Sequence, residues 1–170
     1  MAAETFAQME CSVARTLAVV GERWTLLIVR DAFNGVRRFD DFLDSLGIAR
    51  NILADRLQRL VEDGVLERRR YQEHPERFEY RLTEKGRDLY PLLIAMQRWG
   101  DRYQAGAAGP ALAITHRDCG HELDVSVRCP RCDTAVTPRD VRVDRGPGFR
   151  DDVPDVALPL WARKLRESAD

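Results

Sequence analysis

Between residues 39 and 82 the apolar residues run through two helical stretches and then switch to alternation, an order that leaves few folds open. Phe39, Phe42, Leu43 and Leu46 recur at helical spacing up to a turn at Gly47. Leu53, Leu57, Leu60 and Val61 do the same up to Gly64, where the second helix should stop. Two short strands follow: Val65 to Tyr71, then Phe78, Tyr80 and Leu82 alternating with Arg77, Glu79 and Arg81. Gln72 to Glu76 joins them through a turn at His74-Pro75 with arginines on either side. Helix, turn, helix and arginine-rich hairpin in this order predict a winged helix-turn-helix. That arrangement places its second helix in a DNA major groove and its hairpin against flanking phosphates.

With the leucines of helix 50–63 turned inward, about 100° per residue puts Asn51, Asp55, Gln58 and Arg59 on the opposite face. Asn and Gln can pair bidentately with adenine and Arg with guanine, while Asp can accept from cytosine N4 or orient a neighbouring Arg. Arg50 falls in the first turn, within reach of a phosphate at the helix N-terminus. Any solvated helix face is polar, so this face gains its meaning from the hairpin beside it. The wing offers Arg69, Arg70, His74 and Arg77, and Arg38 precedes the first helix of the pair. The plain alternative for the arginine run is an edge strand whose charges discourage aggregation. His74 is expected to make a turn contact rather than bind metal. The formal net charge of the chain is −1, but residues 68–87 carry seven basic side chains (Arg68, Arg69, Arg70, Arg77, Arg81, Lys85, Arg87) against four acidic ones (Glu73, Glu76, Glu79, Glu84). So modest a bias implies moderate nonspecific affinity, to which base contacts must add.

The flanking segments read as scaffold. Val13, Leu17 and Val20 form one helical stripe ended by Gly21, and Trp24, Leu27 and Ile28 another, with Phe33 near its end and a turn at Asn34-Gly35. Both stripes are expected in the core. Thr83 caps a further helix with Leu89, Leu92, Leu93, Met96, Trp99 and Tyr103 on one stripe, and Pro91 should kink it or break it in two. That stripe is too large for so small a domain to bury alone, so a homodimer is the natural use. A chain of 170 residues, 44% hydrophobic, supports one good core and a small second module. The start of the chain lacks a basic patch with a long apolar run, and no stretch approaches the roughly eighteen apolar residues of a membrane span, so a cytoplasmic protein with no membrane partner is expected. In that reducing setting four cysteines suggest metal ligands or redox thiols rather than disulfides.

The motifs Cys11-Ser12-Val13-Ala14-Arg15, Gly21-Glu22-Arg23-Trp24-Thr25, Arg38-Phe39, Arg56-Leu57, Glu62-Asp63-Gly64-Val65, Tyr80-Arg81-Leu82-Thr83-Glu84-Lys85-Gly86 and Trp99-Gly100 occur in one order. In that order, over about residues 10 to 104, the chain resembles the HxlR-type family of bacterial transcriptional regulators, relatives of the MarR type. The resemblance implies a homodimer that binds double-stranded DNA and represses or activates nearby genes, answering a small-molecule or redox signal. The family often has Ser where this chain has Ala49, which removes a side-chain N-cap of about 1 kcal/mol. Some members use a cysteine near the N-terminus as a redox sensor. Cys11 holds that position, with an inert buried thiol the equal alternative.

After Gln104 the composition turns to Ala-Gly-Ala-Ala-Gly-Pro, so residues 1–104 are read as the DNA-binding and dimerisation domain, 105–112 as linker and 113–170 as a second module. That module holds His116-x2-Cys119 and Cys129-x2-Cys132, nine residues apart. Two such pairs, each gripping an ion from a tight turn, make the pattern of a zinc ribbon with one histidine ligand, and His121 could substitute for His116. Gly120 and Pro130 suit knuckles, and Val125, Val127 and Val136 suit short strands between them. Residues 144–155 read as loop, and Pro159 to Glu167, with Leu160, Trp161 and Leu165, as a short terminal helix. The expected class is therefore α+β: a winged helix-turn-helix domain with a small zinc-ribbon-like module. With no phosphate loop, Ser/His/acid series or carboxylate pair in a credible context, an enzyme is the weaker class. A zinc enzyme would need a coordination position open to water. A winged-helix and zinc-ribbon module docking on the transcription apparatus is the alternative to a DNA-reading regulator.

Overall fold

The computed structural model describes residues 6–149, 152 and 161–163. Its elements are α1 (Ser12–Val20), α2 (Thr25–Phe33), α3 (Phe39–Leu46), α4 (Arg50–Glu62), β1 (Leu66–Gln72), β2 (Arg77–Leu82), α5 (Glu84–Arg87) and α6 (Tyr90–Gln104). By packing, the chain divides into two compact units, residues up to Leu26 together with those from Asp140 on, and Leu27–Arg139. No helix among the described residues is long and apolar enough to cross a membrane.

The core of the second unit contains Ile28, Val29, Phe42, Leu53, Leu57, Leu60, Val65 and Leu66, each at most 1% exposed. α3 and α4 are joined by a turn at Gly47, whose left-handed backbone (φ 60) reverses the chain while its N–H closes α3 on the Leu43 carbonyl. Buried Asp31 fastens α2 to α3: one carboxylate oxygen takes two hydrogen bonds from Arg30, at 2.8 and 2.7 Å, and the other accepts from Ser45 Oγ at 2.7 Å. A buried carboxylate satisfied in this way holds the two helices at a fixed spacing.

β1 and β2 pair antiparallel from Leu66↔Leu82 to Arg70↔Phe78, with a bulge before Gln72↔Arg77. Arg38 adds a single bridge to Glu79, and the Tyr80 N–H donates to the Arg37 carbonyl, so the chain entering α3 lies along the hairpin. At the hairpin's foot Thr83 Oγ1 donates to the Gly64 carbonyl at 2.6 Å and accepts from the Gly86 N–H at 3.1 Å. Gly86 is required there because a Cβ would stand 2.2 Å from the Val65 carbonyl oxygen. Lys85 Nζ closes the end of α4 by donating to the Asp63 carbonyl at 2.6 Å.

The helix expected to run from Thr83 through Tyr103 is broken in two. α5 ends at Arg87, and α6 restarts with Pro91 in its first turn, where the missing N–H costs nothing. The α1 stripe departs from its expected place in the core. Ala14 and Val20 are buried, whereas Val13 is 69% and Leu17 46% exposed, because periodicity identifies an apolar face without saying what covers it. α6 behaves as expected of a stripe too large to bury: Leu92, Met96, Trp99 and Tyr103 are exposed, and Ile94 is the helix's buried residue. Between Val125 and Val136 there is one isolated bridge, Arg128↔Ala135, rather than strands. Residues 144–149 carry no regular structure, and Trp161–Arg163 is helical, while Pro159, Leu160 and Leu165 lie outside the described residues.

Candidate nucleic-acid interface

α4 presents Asn51, Asp55, Gln58 and Arg59 to solvent opposite its buried Leu53, Leu57 and Leu60, the division that the leucine spacing dictates. The exposed side chains are ordered by one another. Gln58 Nε2 donates to Glu62 at 2.8 Å, and Asp55 pairs with Arg59 and Arg56, each at 3.2 Å. At the N-terminus Ala49 provides no side-chain cap, and Arg50 pairs with Asp40 at 3.2 Å while its guanidinium lies over the Phe39 ring. The pairs of Arg59 and Arg50, exposed on both sides, contribute little in water, about 0–1 kcal/mol each, so a base edge or phosphate can replace them at small cost.

The wing follows the same pattern. Arg69 faces Glu67 at 3.7 Å, and Arg70 lies between Glu73 at 3.8 Å and Glu76 at 3.3 Å. His74 is exposed in the turn, and its carbonyl accepts from Gln72 Nε2 at 3.0 Å, the turn contact expected of it. Arg77 is exposed at the start of β2. Arg68 does something that a charge count does not show: its guanidinium packs over Phe78, 3.5 Å from the ring centroid, so it holds the hairpin rather than extending from it. Arg38 is held over Tyr71 in the same manner. Only the strand register, which sets Phe78 diagonally across from Arg68, separates Arg68 from its neighbours.

The four candidate metal residues occupy two knuckles of one design, thirteen residues apart. In the first, the His116 N–H donates to the His121 carbonyl, Gly120 N–H to His116, and Leu123 N–H to Ile114, with a bridge Thr115↔Glu122. In the second, Cys129 donates to Thr134, Asp133 to Cys129, and Val136 to Val127, with a bridge Arg128↔Ala135. Gly120 (φ 72) and Asp133 (φ 55) take the same left-handed position, the aspartate secured by Arg128, which donates to both its carboxylate and its carbonyl. His116 Nδ1 and Cys119 Sγ lie 3.2 Å apart. The Cys132 thiol is lowered from 9.0 to about 7, chiefly by a hydrogen bond from the Thr134 hydroxyl, with help from the Thr134 backbone and Cys129. Among the described residues no group of three or more His, Cys, Asp or Glu side chains could hold a metal ion, so the structure does not assemble the four candidate ligands into one site. Arg98 of α6 binds Glu122 at 3.0 Å and approaches Asp124 at 3.7 Å, a link between helix and extension that the sequence reading did not contain.

Residues 19–107 match the HxlR-like helix-turn-helix family. An uncharacterized HTH-type transcriptional regulator of Mycobacterium tuberculosis (strain ATCC 25618 / H37Rv) is 48% identical over 139 residues, 82% of this chain and 88% of the relative. The crystal structure of PA1607, described as a candidate transcription factor, superposes with a TM-score of 0.77 at 43% identity and covers 84% of this chain and 99% of its own. The reduced form of the redox regulator HypR superposes with a TM-score of 0.52 at 33% identity, over 54% of this chain and 92% of its own. A match of 139 residues in a chain of 170 necessarily runs past residue 107 and through both knuckles. The segment that carries both knuckles thus aligns with the mycobacterial relative.

Proposed function

Since the chain belongs to the HxlR-like helix-turn-helix family, we propose that it is a homodimeric transcriptional regulator that reads an operator with α4 and anchors the wing on adjacent phosphates or in the minor groove. The observation that carries this reading is the exposed face Asn51, Asp55, Gln58 and Arg59, backed by buried leucines and flanked by Arg69, Arg70, His74 and Arg77. The dimer seam is the exposed stripe Leu92, Met96, Trp99 and Tyr103 of α6, four large apolar side chains on one helix face left in water in the single chain. Relatives named as HTH-type transcriptional regulators favour this reading over a docking module of the transcription apparatus and over an enzyme. The extension is an accessory module that holds metal. Cys11, half-buried at the start of α1 and outside both knuckles, is the candidate for a redox signal, in keeping with the likeness to HypR.

Competition binding against matched and mismatched DNA, at two salt concentrations, tests the interface. Gln58→Ala should reduce discrimination at one position by about 1 to 3 kcal/mol, whereas Arg70→Ala should weaken binding to all sequences and lower the salt slope by about one. A uniform loss from Gln58→Ala would remove α4 from base reading. Light scattering tests the seam: wild type is expected as a dimer and Met96→Glu as a monomer, since the dimer would bury an unpaired charge. A monomeric wild type at micromolar concentration counts against the regulator.

A further inference from the structure

We propose that His116 Nδ1 and the thiolates of Cys119, Cys129 and Cys132 bind one zinc ion per chain in a closed tetrahedral site, and that this ion joins the two knuckles. The proposal deepens the reading of the extension as metal-holding and is independent of how α4 reads DNA. The first support is the repetition. Every backbone hydrogen bond of the first knuckle recurs thirteen residues later, left-handed residue included, so the two pairs are presented by the same turn. A tight turn of this kind, with two ligands three residues apart, is how structural zinc sites are assembled from halves.

The second support is the geometry of the first pair. Zinc–nitrogen and zinc–sulfur bonds of about 2.05 and 2.3 Å at a tetrahedral angle place the two donor atoms about 3.5 Å apart. His116 Nδ1 and Cys119 Sγ already stand at 3.2 Å. The other ring nitrogen, Nε2, lies 3.9 Å from Asp118 Oδ2, a carboxylate beside the ring that could support it as a metal ligand. The repeat also decides between the histidines. His116 is the counterpart of Cys129, whereas His121 is the counterpart of Thr134 and serves through its backbone carbonyl.

The third support is what the extension lacks. Between residues 113 and 137 no side chain is buried, and Ile114, Leu123, Cys129 and Val136 are its most covered residues. So small an apolar interior cannot fix two turns against each other. Four bonds to one ion supply that cross-link, and a four-ligand site leaves no open position for chemistry. The ion would also steady Glu122 and Asp124, which follow the first knuckle directly, against Arg98 of α6.

Elemental analysis of the full-length chain, as purified and after reconstitution with Zn²⁺, should find about one zinc per chain. Co²⁺ in its place should show thiolate-to-metal charge transfer and tetrahedral ligand-field bands. Cys129→Ser, Cys132→Ser and His116→Ala should lose the metal, and His121→Ala should keep it. His116→Cys should restore a four-thiolate site even if the other variants fail to fold. Asp118→Asn should keep the stoichiometry and lower affinity by about tenfold. Failure of the reconstituted chain to take up zinc or cobalt overturns the proposal. Half an ion per chain overturns it in favour of a site shared between copies, and loss of metal in His121→Ala but not in His116→Ala overturns the ligand set. Gln58→Ala retains its zinc whatever happens to its DNA affinity, so failure of the metal site and failure of the DNA reading are told apart.

Discussion

Residues 39–66 and residues 113–137 are held by opposite means. In the first region Phe42, Leu53, Leu57, Leu60, Val65 and Leu66 are all but inaccessible to solvent. In the second no side chain is buried, yet two turns are hydrogen-bonded in an identical sequence. Apolar burial at about 25 cal/mol per Å² stabilises the helix-turn-helix without further help. The knuckles contain too little apolar surface for that and call for a cross-link. One chain therefore combines a region whose stability resides in its core with one whose stability, on the zinc proposal, resides in four ligand bonds.

The strongest way to break this contrast is to remove the metal. Apparent zinc-binding energies of about 10 kcal/mol or more in small metal-folded modules imply that a chelator should unfold the extension alone. Hydrogen exchange should then show protection lost at the amides of His116, Gly120, Cys129 and Asp133 and kept at those of Leu53 and Leu57. Protected knuckle amides in metal-free protein would mean that the turns stand by their own hydrogen bonds, and the contrast would fall.

The reciprocal change is made in the core. Leu57 is fully buried in α4, and Leu57→Ala should cost about 2 to 5 kcal/mol by chemical denaturation, through lost transfer energy and the cavity left behind. Zinc content should not change. A loss below about 1 kcal/mol would show that the core does not govern this region, and a loss of zinc would show that the two regions do not fold separately.

What could be read in the sequence follows the same division. Leucine spacing located α4 and its polar face, because burial of one stripe dictates which residues remain outside. Gly47, Gly64 and Thr83 marked boundaries through conformations or caps that are local, and Pro91 marked the break between α5 and α6 for the same reason. Covering of the α1 stripe was not legible: Val13 and Leu17 are exposed in the single chain although their spacing is that of a core helix. The stacking of Arg68 on Phe78 depends on strand register, and the Arg98–Glu122 link joins residues 24 apart in sequence, so neither had a local signature. The knuckles were legible as ligand spacing, since two donors three residues apart need only a turn, but the repeated hydrogen bonding that separates His116 from His121 required the backbone.

The smallest effect sharpens the contrast at a single residue of the helix-turn-helix. Ala49 stands at the N-cap of α4 with an extended backbone (φ −65, ψ 138) and no side-chain cap, so the first N–H groups of the helix lack the partner that a hydroxyl would give. In Ala49→Ser the Oγ can accept from the N–H of Asn51 or Ile52 without moving the chain, because this backbone conformation already suits a capping serine. Stability should rise by about 1 kcal/mol, roughly 2–4 °C in the midpoint of thermal unfolding for a protein of this size. Only the core-stabilised region should show the gain, with the same amount of chelator releasing the same zinc as in wild type. An unchanged midpoint would mean that another acceptor already satisfies the N-terminus of α4, for which the Asp40 carboxylate, paired with Arg50, is the side chain to examine by Asp40→Ala.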